Sequence, residues 1–273
     1  MDLMTVDKGM VVPRIILFVI MAVSCRSDAK PTPVTNRSSV VVVPAPADEQ
    51  ARARNYLGVV SREDADYGRY LRLEGLRSGA MYDGLRWIRV CGLTRHDSTV
   101  SFSTAEMFGG VRVFEGVSDG DGLRGELTYR PVRGSPRSWG RVVFRPLDDP
   151  LPGDRSLGRR YGFYSDLRYS EATGDNGGTE LLVASTAGKL TVALAIIEGT
   201  VSSPFVGFNH VEIGDTVRFQ IWRKTPAPTV RAIFVNGFVE VSLSDWVVPP
   251  SRLPRKFSLR SFFEQPPIGR CTG

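Results

Sequence analysis

Histidine is nearly absent from this 273-residue chain: His96 and His210 are the only two. They lie far apart, and neither His-Glu-x-x-His nor Cys-x-x-Cys occurs, which removes the usual ligand sets of a zinc site. We therefore expect no metal centre and no cofactor, with one opening left for a structural calcium held by separate acidic turns. His96-Asp97-Ser98 carries the letters of a catalytic triad, but adjacent residues cannot converge on one reacting atom, so a turn is expected there. We read no serine nucleophile elbow and no phosphate-cradling glycine loop. Long apolar runs are missing as well. Ile15–Val23 has nine residues, against the roughly 20 that cross a bilayer. Helical periodicity of useful length is also absent, which excludes a helical bundle.

What is present begins with Arg14, the apolar stretch Ile15–Val23, then Ser24 and Cys25. This charged, apolar, small order is the layout of a secretory signal. Ala22-Val23-Ser24-Cys25 resembles the lipobox of bacterial lipoproteins, with Ala22 where leucine is commonest. The resemblance implies that residues 1–24 are removed and that Cys25 is lipidated and becomes the first mature residue. It also implies a protein held to a membrane of the bacterial cell envelope by that lipid, facing the periplasm or the cell exterior. Plain secretion after the small-x-small Ala-Val-Ser is the alternative. A net charge of +6 favours anionic partners. An exported protein seldom meets nucleic acid, so a glycan or an envelope protein is the expected partner. Cys91 and Cys271 remain as an even pair, and a disulfide pinning the C-terminal tail to a strand is expected.

Residues 25–55 read as the lipidated cysteine and a tether extended by Pro31, Pro33, Pro44 and Pro46. Val40–Val43 is expected as a short edge strand. Asp48–Arg54, acids first and bases last, is expected as a two-turn helix. Residues 56–273 read as one all-β domain with a C-terminal tail. Strand-like stretches fall at 57–60, 70–74, 86–91, 99–103, 111–115, 125–131, 140–145, 160–169, 180–185, 189–197, 205–208, 216–223, 230–235, 238–243 and 257–263. Gly, Asp, Ser and Pro punctuate them. The expected architecture is an antiparallel two-sheet β-sandwich, concanavalin A-like or jelly-roll.

The sharpest local signal is Asn236-Gly237, the favoured pair for a type I′ hairpin turn. It predicts Val235 opposite Phe238, Phe234 opposite Val239, Ala232 opposite Val241 and Val230 opposite Leu243. The last three pairs make an apolar face, and Arg231, Ile233, Glu240 and Ser242 make the other. The preceding strand sends Val217, Phe219 and Ile221 one way and Arg218, Gln220 and Trp222 the other. Leu190–Ile197 is almost wholly apolar, which predicts a central strand covered on both faces.

Tyr161-Gly-Phe-Tyr164, the apolar strand at 190–197, the strand at 216–223 and Ile233-Phe-Val-Asn-Gly237 together resemble the later strands of concanavalin A-like lectin and glucanase sandwiches. The resemblance covers 160–243 and implies two curved sheets with a concave, glycan-binding face. The family's Glu-x-Asp-x-x-Glu catalytic strand is absent, so a non-catalytic binder is expected. Its site would be Trp222, Arg218, Gln220, Arg231 and Glu240, with the indole stacking on a sugar and the polar groups bonding hydroxyls or anionic groups. Arg130, Arg133, Arg137, Arg141 and Arg145 surround Trp139 as a second basic patch, suited to sulfated or phosphorylated glycan or to lipid headgroups. Two other classes stay open. One is a structural or adhesive lipoprotein with a broad protein-binding face. The other is a glycan hydrolase or lyase, for which Asp166 and Glu240 are the only carboxylates placed on outward strand faces.

Overall fold

The computed structural model describes residues 53–75, 78–106, 109–120, 122–148, 160–199, 203–223, 227–244 and 251–271. The export signal, Cys25, the tether and the Val40–Val43 strand lie outside the described residues. So does most of the expected 48–54 helix, and its last two residues belong to a strand. The all-β, antiparallel expectation holds, and the strands divide into two groups.

The first eight strands are β1 (Ala53–Ser61), β2 (Asp66–Glu74), β3 (Ser78–Tyr82), β4 (Trp87–His96), β5 (Thr99–Thr104), β6 (Gly110–Ser118), β7 (Leu123–Pro131) and β8 (Arg137–Pro146). Each pairs antiparallel with its neighbour in sequence. β1 also pairs with β8, Leu57 opposite Arg145 and Val59 opposite Val143, so the sheet closes into an up-and-down barrel. A barrel has no free edge, which suits short strands joined by tight turns. Leu71, Leu73, Met81, Phe114, Leu127, Val142 and Phe144 fill its interior and are almost fully buried. Each such side chain contributes about 1.5–3 kcal/mol on leaving water. Gly58 has no side chain because the Phe144 ring occupies that space: a Cβ there would lie 2.4 Å from Phe144 Cε1.

Residues 53–146 therefore do not form part of a two-sheet sandwich. Periodicity marks which face of a strand is buried, and that face looks alike whether it meets a second sheet or the inside of a cylinder.

The second group comprises β9 (Gly162–Ser165), β10 (Arg168–Tyr169), β11 (Asn176–Thr186), β12 (Lys189–Gly199) and β13 (Phe205–Val206), then β14 (Phe208–Ile213), β15 (Thr216–Gln220), β16 (Thr229–Val235), β17 (Phe238–Leu243), β18 (Ser251–Leu253) and β19 (Arg255–Phe257). β14 to β18 form a five-stranded sheet in sequence order, whereas β13, β12, β11, β9 and β19 continue from the barrel through one bridge, Phe205 opposite Tyr67. Leu181, Val183, Val192 and Leu194 face the five-stranded sheet and meet Val217, Phe219, Val230 and Val239. Leu182, Ala184 and Ala193 face the barrel's outer wall at Leu57, Tyr70 and Tyr82. β12 is covered on both sides, as its apolar run predicts. β9 is too, with Phe163 toward the barrel and Tyr164 toward the five-stranded sheet.

The Asn236-Gly237 hairpin has the predicted register at every named pair, and both turn residues have positive φ, 46° and 84°. The expected strand at 257–263 is instead the end of β19 followed by α1 (Leu259–Phe263). Ser258 decides this, because its Oγ accepts the Ser261 N–H and caps a helix start. The helix drives Phe262 and Phe263 into the aromatic layer between barrel and second sheet, with Phe262 stacked on Phe163 at 3.8 Å. Beyond it, Ile268 bridges Ile88, and a disulfide joins Cys91 on β4 to Cys271 with their Cα atoms 5.5 Å apart.

Candidate functional site

Side chains alternate along a strand, so the parity that sends Leu71 and Leu73 into the barrel also sends Tyr67 and Arg69 of β2 there. On β6, Phe114 points inward and Arg112 shares its side. Between β7 and β8 the register slips: Leu127 pairs with Gly140 and Thr128 with Ser138, which leaves Trp139 as an extra residue on β8. Such a bulge re-aims a side chain, and the Trp139 indole packs against the barrel interior. Tyr129 stacks on it at 5.9 Å.

Two cations converge on this indole. The guanidinium carbon of Arg69 lies 4.7 Å from the ring centroid and that of Arg112 lies 5.2 Å away. A third, Arg62, lies over the Tyr67 ring at 5.2 Å. The three arginines, Trp139, Asp83 and Tyr82 line a cleft of about 370 Å³ at the barrel mouth. Cation–π attraction holds guanidiniums in place but leaves their N–H groups free to donate outward.

The charges in this mouth are not balanced. Among the described residues, none of the three arginines is ion-paired with a carboxylate. Arg69 Nη1 donates to the Gly68 carbonyl at 2.7 Å, while its Nε is buried without a hydrogen-bond partner. Burial, and after it the charges of Arg112 and Arg62, hold Arg69 down to about 10, so it stays cationic at neutral pH at an electrostatic cost. Burial also lowers Arg112, opposed by Asp83 and Tyr129. Asp83 Oδ1 accepts the N–H groups of Leu85 and Arg86, each at 2.9 Å, while its Oδ2 is buried without a hydrogen-bond partner. Preorganised guanidiniums that outnumber the carboxylates of a partly desolvated cleft can bind and orient an anion.

The arginines that the sequence groups with Trp139 lie on the surface: Arg130, Arg133, Arg137, Arg141 and Arg145 are exposed, and Arg130 faces Glu115 at 3.5 Å. The cations on the indole come from β2 and β6, and barrel closure through β1 is what brings Arg69 of β2 beside Trp139.

Of the other predicted residues, Arg218, Gln220, Arg231 and Glu240 share the open face of the five-stranded sheet. Arg218 sits directly opposite Arg231, and Glu240 opposite Arg252 across β17 and β18. Asn209 Nδ2 donates to Gln220 Oε1 at 2.7 Å. Trp222 is set apart from them, in an isolated bridge with Ala65 and edge-on to Phe205 at 5.6 Å, where the β1–β2 loop meets the second sheet. Val211 and Ile213 on β14, with Val211 opposite Arg218, and Val235 on β16 are exposed. Asp166, just past the end of β9, accepts the Thr179 N–H at 2.5 Å, whereas Glu240 is on β17 of the five-stranded sheet, so the two do not share a sheet.

Three carboxylates of the acidic turns have protein partners. Asp66 pairs with Arg223, Asp64 accepts from Tyr67 and Asp119 pairs with Arg124. His96 and Asp97 form an exposed turn. Two glycine patterns escaped the sequence reading: Gly116-Val-Ser-Asp-Gly120 spells a nucleophile elbow, and Gly120-Asp-Gly-Leu-Arg-Gly125 a dinucleotide fingerprint. Both fall in the β6–β7 hairpin, which runs strand to strand. Neither leads into the helix whose N-terminus the chemistry of those motifs requires.

No family model matches the chain, and no curated protein or solved structure matches it.

Proposed function

We propose that this is an exported, lipid-anchored, non-catalytic recognition protein that binds an acidic glycan or another anionic envelope component at the barrel mouth. The observation that carries the reading is the pair of guanidiniums, Arg69 and Arg112, held over Trp139 with no ion pair among the described residues. Export and attachment to the bacterial envelope through Cys25 rest on the resemblance of residues 22–25 to a lipobox. The same proposal takes residues 160–243 as a lectin-like two-sheet sandwich, supported by the face-to-face packing of β11 and β12 on the five-stranded sheet.

The test is calorimetry of the full chain with acidic polysaccharides, a polyuronate and a sulfated glycan, and with neutral dextran as control. Saturable, salt-sensitive binding to acidic polymers alone, lost in Arg69→Gln, is expected. Equal binding to dextran, or no response to any polyanion, would remove the reading.

A second reading has its own observation. The exposed Val211, Ile213 and Val235 flank the Arg218–Arg231 pair, which suits a structural or adhesive lipoprotein that docks a protein partner on this sheet face. In that case Arg218→Glu abolishes capture of the partner and leaves polyanion binding at the barrel mouth intact.

A further inference from the structure

Resting on the reading of the barrel mouth as an anion site, we infer that its ligand is a dianionic phosphoryl group, the phosphate monoester of a sugar or of a lipid headgroup. Four charged side chains line the cleft: Arg62, Arg69 and Arg112 against Asp83. Three positive charges and one negative leave two to be matched. A carboxylate, a phosphodiester or a sulfate ester carries one, whereas a phosphate monoester carries about 1.5 to 2 near pH 7. The donors agree with this count. Guanidiniums match phosphate oxygens in planar, two-pronged fashion, and Arg69 Nε is a buried donor with nothing to donate to.

The indole has a different role from that expected of a sugar-binding tryptophan. Arg69, Arg112 and Tyr129 all lie against Trp139, so its ring surface is occupied. It fixes the direction of the guanidiniums and does not serve as a platform for the ligand. Recognition therefore centres on the charged group and not on a sugar face. The cleft, about 370 Å³, is at the small end of ligand sites, which run from about 300 to 1,000 Å³. That size suits a phosphate with the single group that bears it. The site also has a cost that a ligand would relieve. Burial, and after it the charges of Arg112 and Arg62, push down the protonation of Arg69, so a dianion bound in the mouth offsets that cost and stabilises the fold.

The experiment compares glucose 6-phosphate with glucose 6-sulfate by calorimetry and thermal unfolding of the full chain at low salt. The two share a sugar and a tetrahedral group and differ by one charge. At least tenfold tighter binding of the phosphate is expected, with a rise in unfolding temperature. Arg112→Gln should lose the binding, and Asp83→Asn, whose amide oxygen still accepts the turn N–H groups, should tighten it. Phosphatidylcholine vesicles containing phosphatidic acid or phosphatidylglycerol separate the sources. Retention on phosphatidic acid without glucose 6-phosphate binding assigns a lipid monoester; the converse assigns a sugar phosphate. Equal affinity for phosphate and sulfate, or a folded Arg112→Gln that binds as wild type does, overturns the dianion inference. If sulfated or uronate polymers still bind under those conditions, the broader anion reading survives. If no anion binds at all, both fall.

Discussion

Tyr82 of β3 donates its phenolic hydrogen to Glu180 Oε1 of β11 across 3.0 Å, a buried polar link between the barrel wall and the second sheet. Ser165 Oγ approaches the same oxygen at 3.5 Å. Around this pair lie Tyr70, Trp87, Phe163 and Phe262, so both partners are buried, with Tyr82 bordering the barrel-mouth cleft. Burial raises the Glu180 carboxyl to about 8, against the lowering effect of its hydrogen bonds with Tyr82 and Ser165. Burial, and secondarily Glu180, raises Tyr82 as well.

A pH dependence of stability follows, with a definite sign. Between the ordinary glutamate value near 4.5 and about 8, the folded state keeps a proton that the unfolded chain has released. Glu180 therefore costs nothing below that window and destabilises progressively as pH rises through it, by at most about 1.4 kcal/mol per pH unit. Chemical denaturation of wild type and Glu180→Gln from pH 5 to 9 checks this. The variant should be the more stable protein at pH 8 and should show a flatter profile. Parallel profiles would mean that Glu180 titrates normally.

The C-terminal strap gives the second prediction. The Cys91–Cys271 disulfide closes a loop with a sequence separation of 180 residues. A loop of that length has an entropic ceiling of about 5 kcal/mol, and measured values for native disulfides are usually about 2–4 kcal/mol. Cys271→Ser should lower stability within that range and open the 264–271 segment to hydrogen exchange. It should leave the Asn236-Gly237 hairpin as protected as before.

Arg72 argues a third case. It is buried, donates to the Phe263 carbonyl and to Gln265 O at 3.3 Å, and pairs with Glu74 at 2.8 Å. One side chain thus satisfies carbonyls at the end of α1 and anchors that helix to the barrel. Arg72→Met keeps most of the volume and removes the donors. A loss of about 1.5–3 kcal/mol is expected from denaturant unfolding. Loss below about 0.5 kcal/mol would show that water replaces the guanidinium there.

How much of this was legible in the sequence depends on the range of each interaction. The 230–243 hairpin was readable residue by residue, because an Asn-Gly turn fixes register and alternation then assigns faces. The double coverage of β12 was readable from its apolar run. Barrel closure was not, since Leu57 meets Arg145 through pairing that no local pattern encodes. The same distance hid the site. Trp139 stands among sequence neighbours Arg137 and Arg141, yet Arg69 and Arg112 are the ones that touch it. Phe257–Phe263 alternates like a strand, and only the Ser258 cap, a single local bond, turns it into helix.

The last prediction tests closure directly. Gly58 on β1 and Phe144 on β8 face each other across the closing seam, Gly58 opposite Phe144 in register and the ring filling the space a side chain would need. Gly58→Ala forces a methyl to within 2.4 Å of an interior ring atom, and overpacking of this kind costs about 1–3 kcal/mol. Phe144→Leu alone leaves a cavity and is also destabilising. Combined, the added methyl enters the vacated space, so the double variant should be more stable than the sum of the two losses allows, by about 0.5–3 kcal/mol of coupling. An open sheet would put these residues on separated edges, and the two effects would then simply add. Denaturant unfolding of the four proteins in this cycle therefore distinguishes a closed barrel from an open sheet.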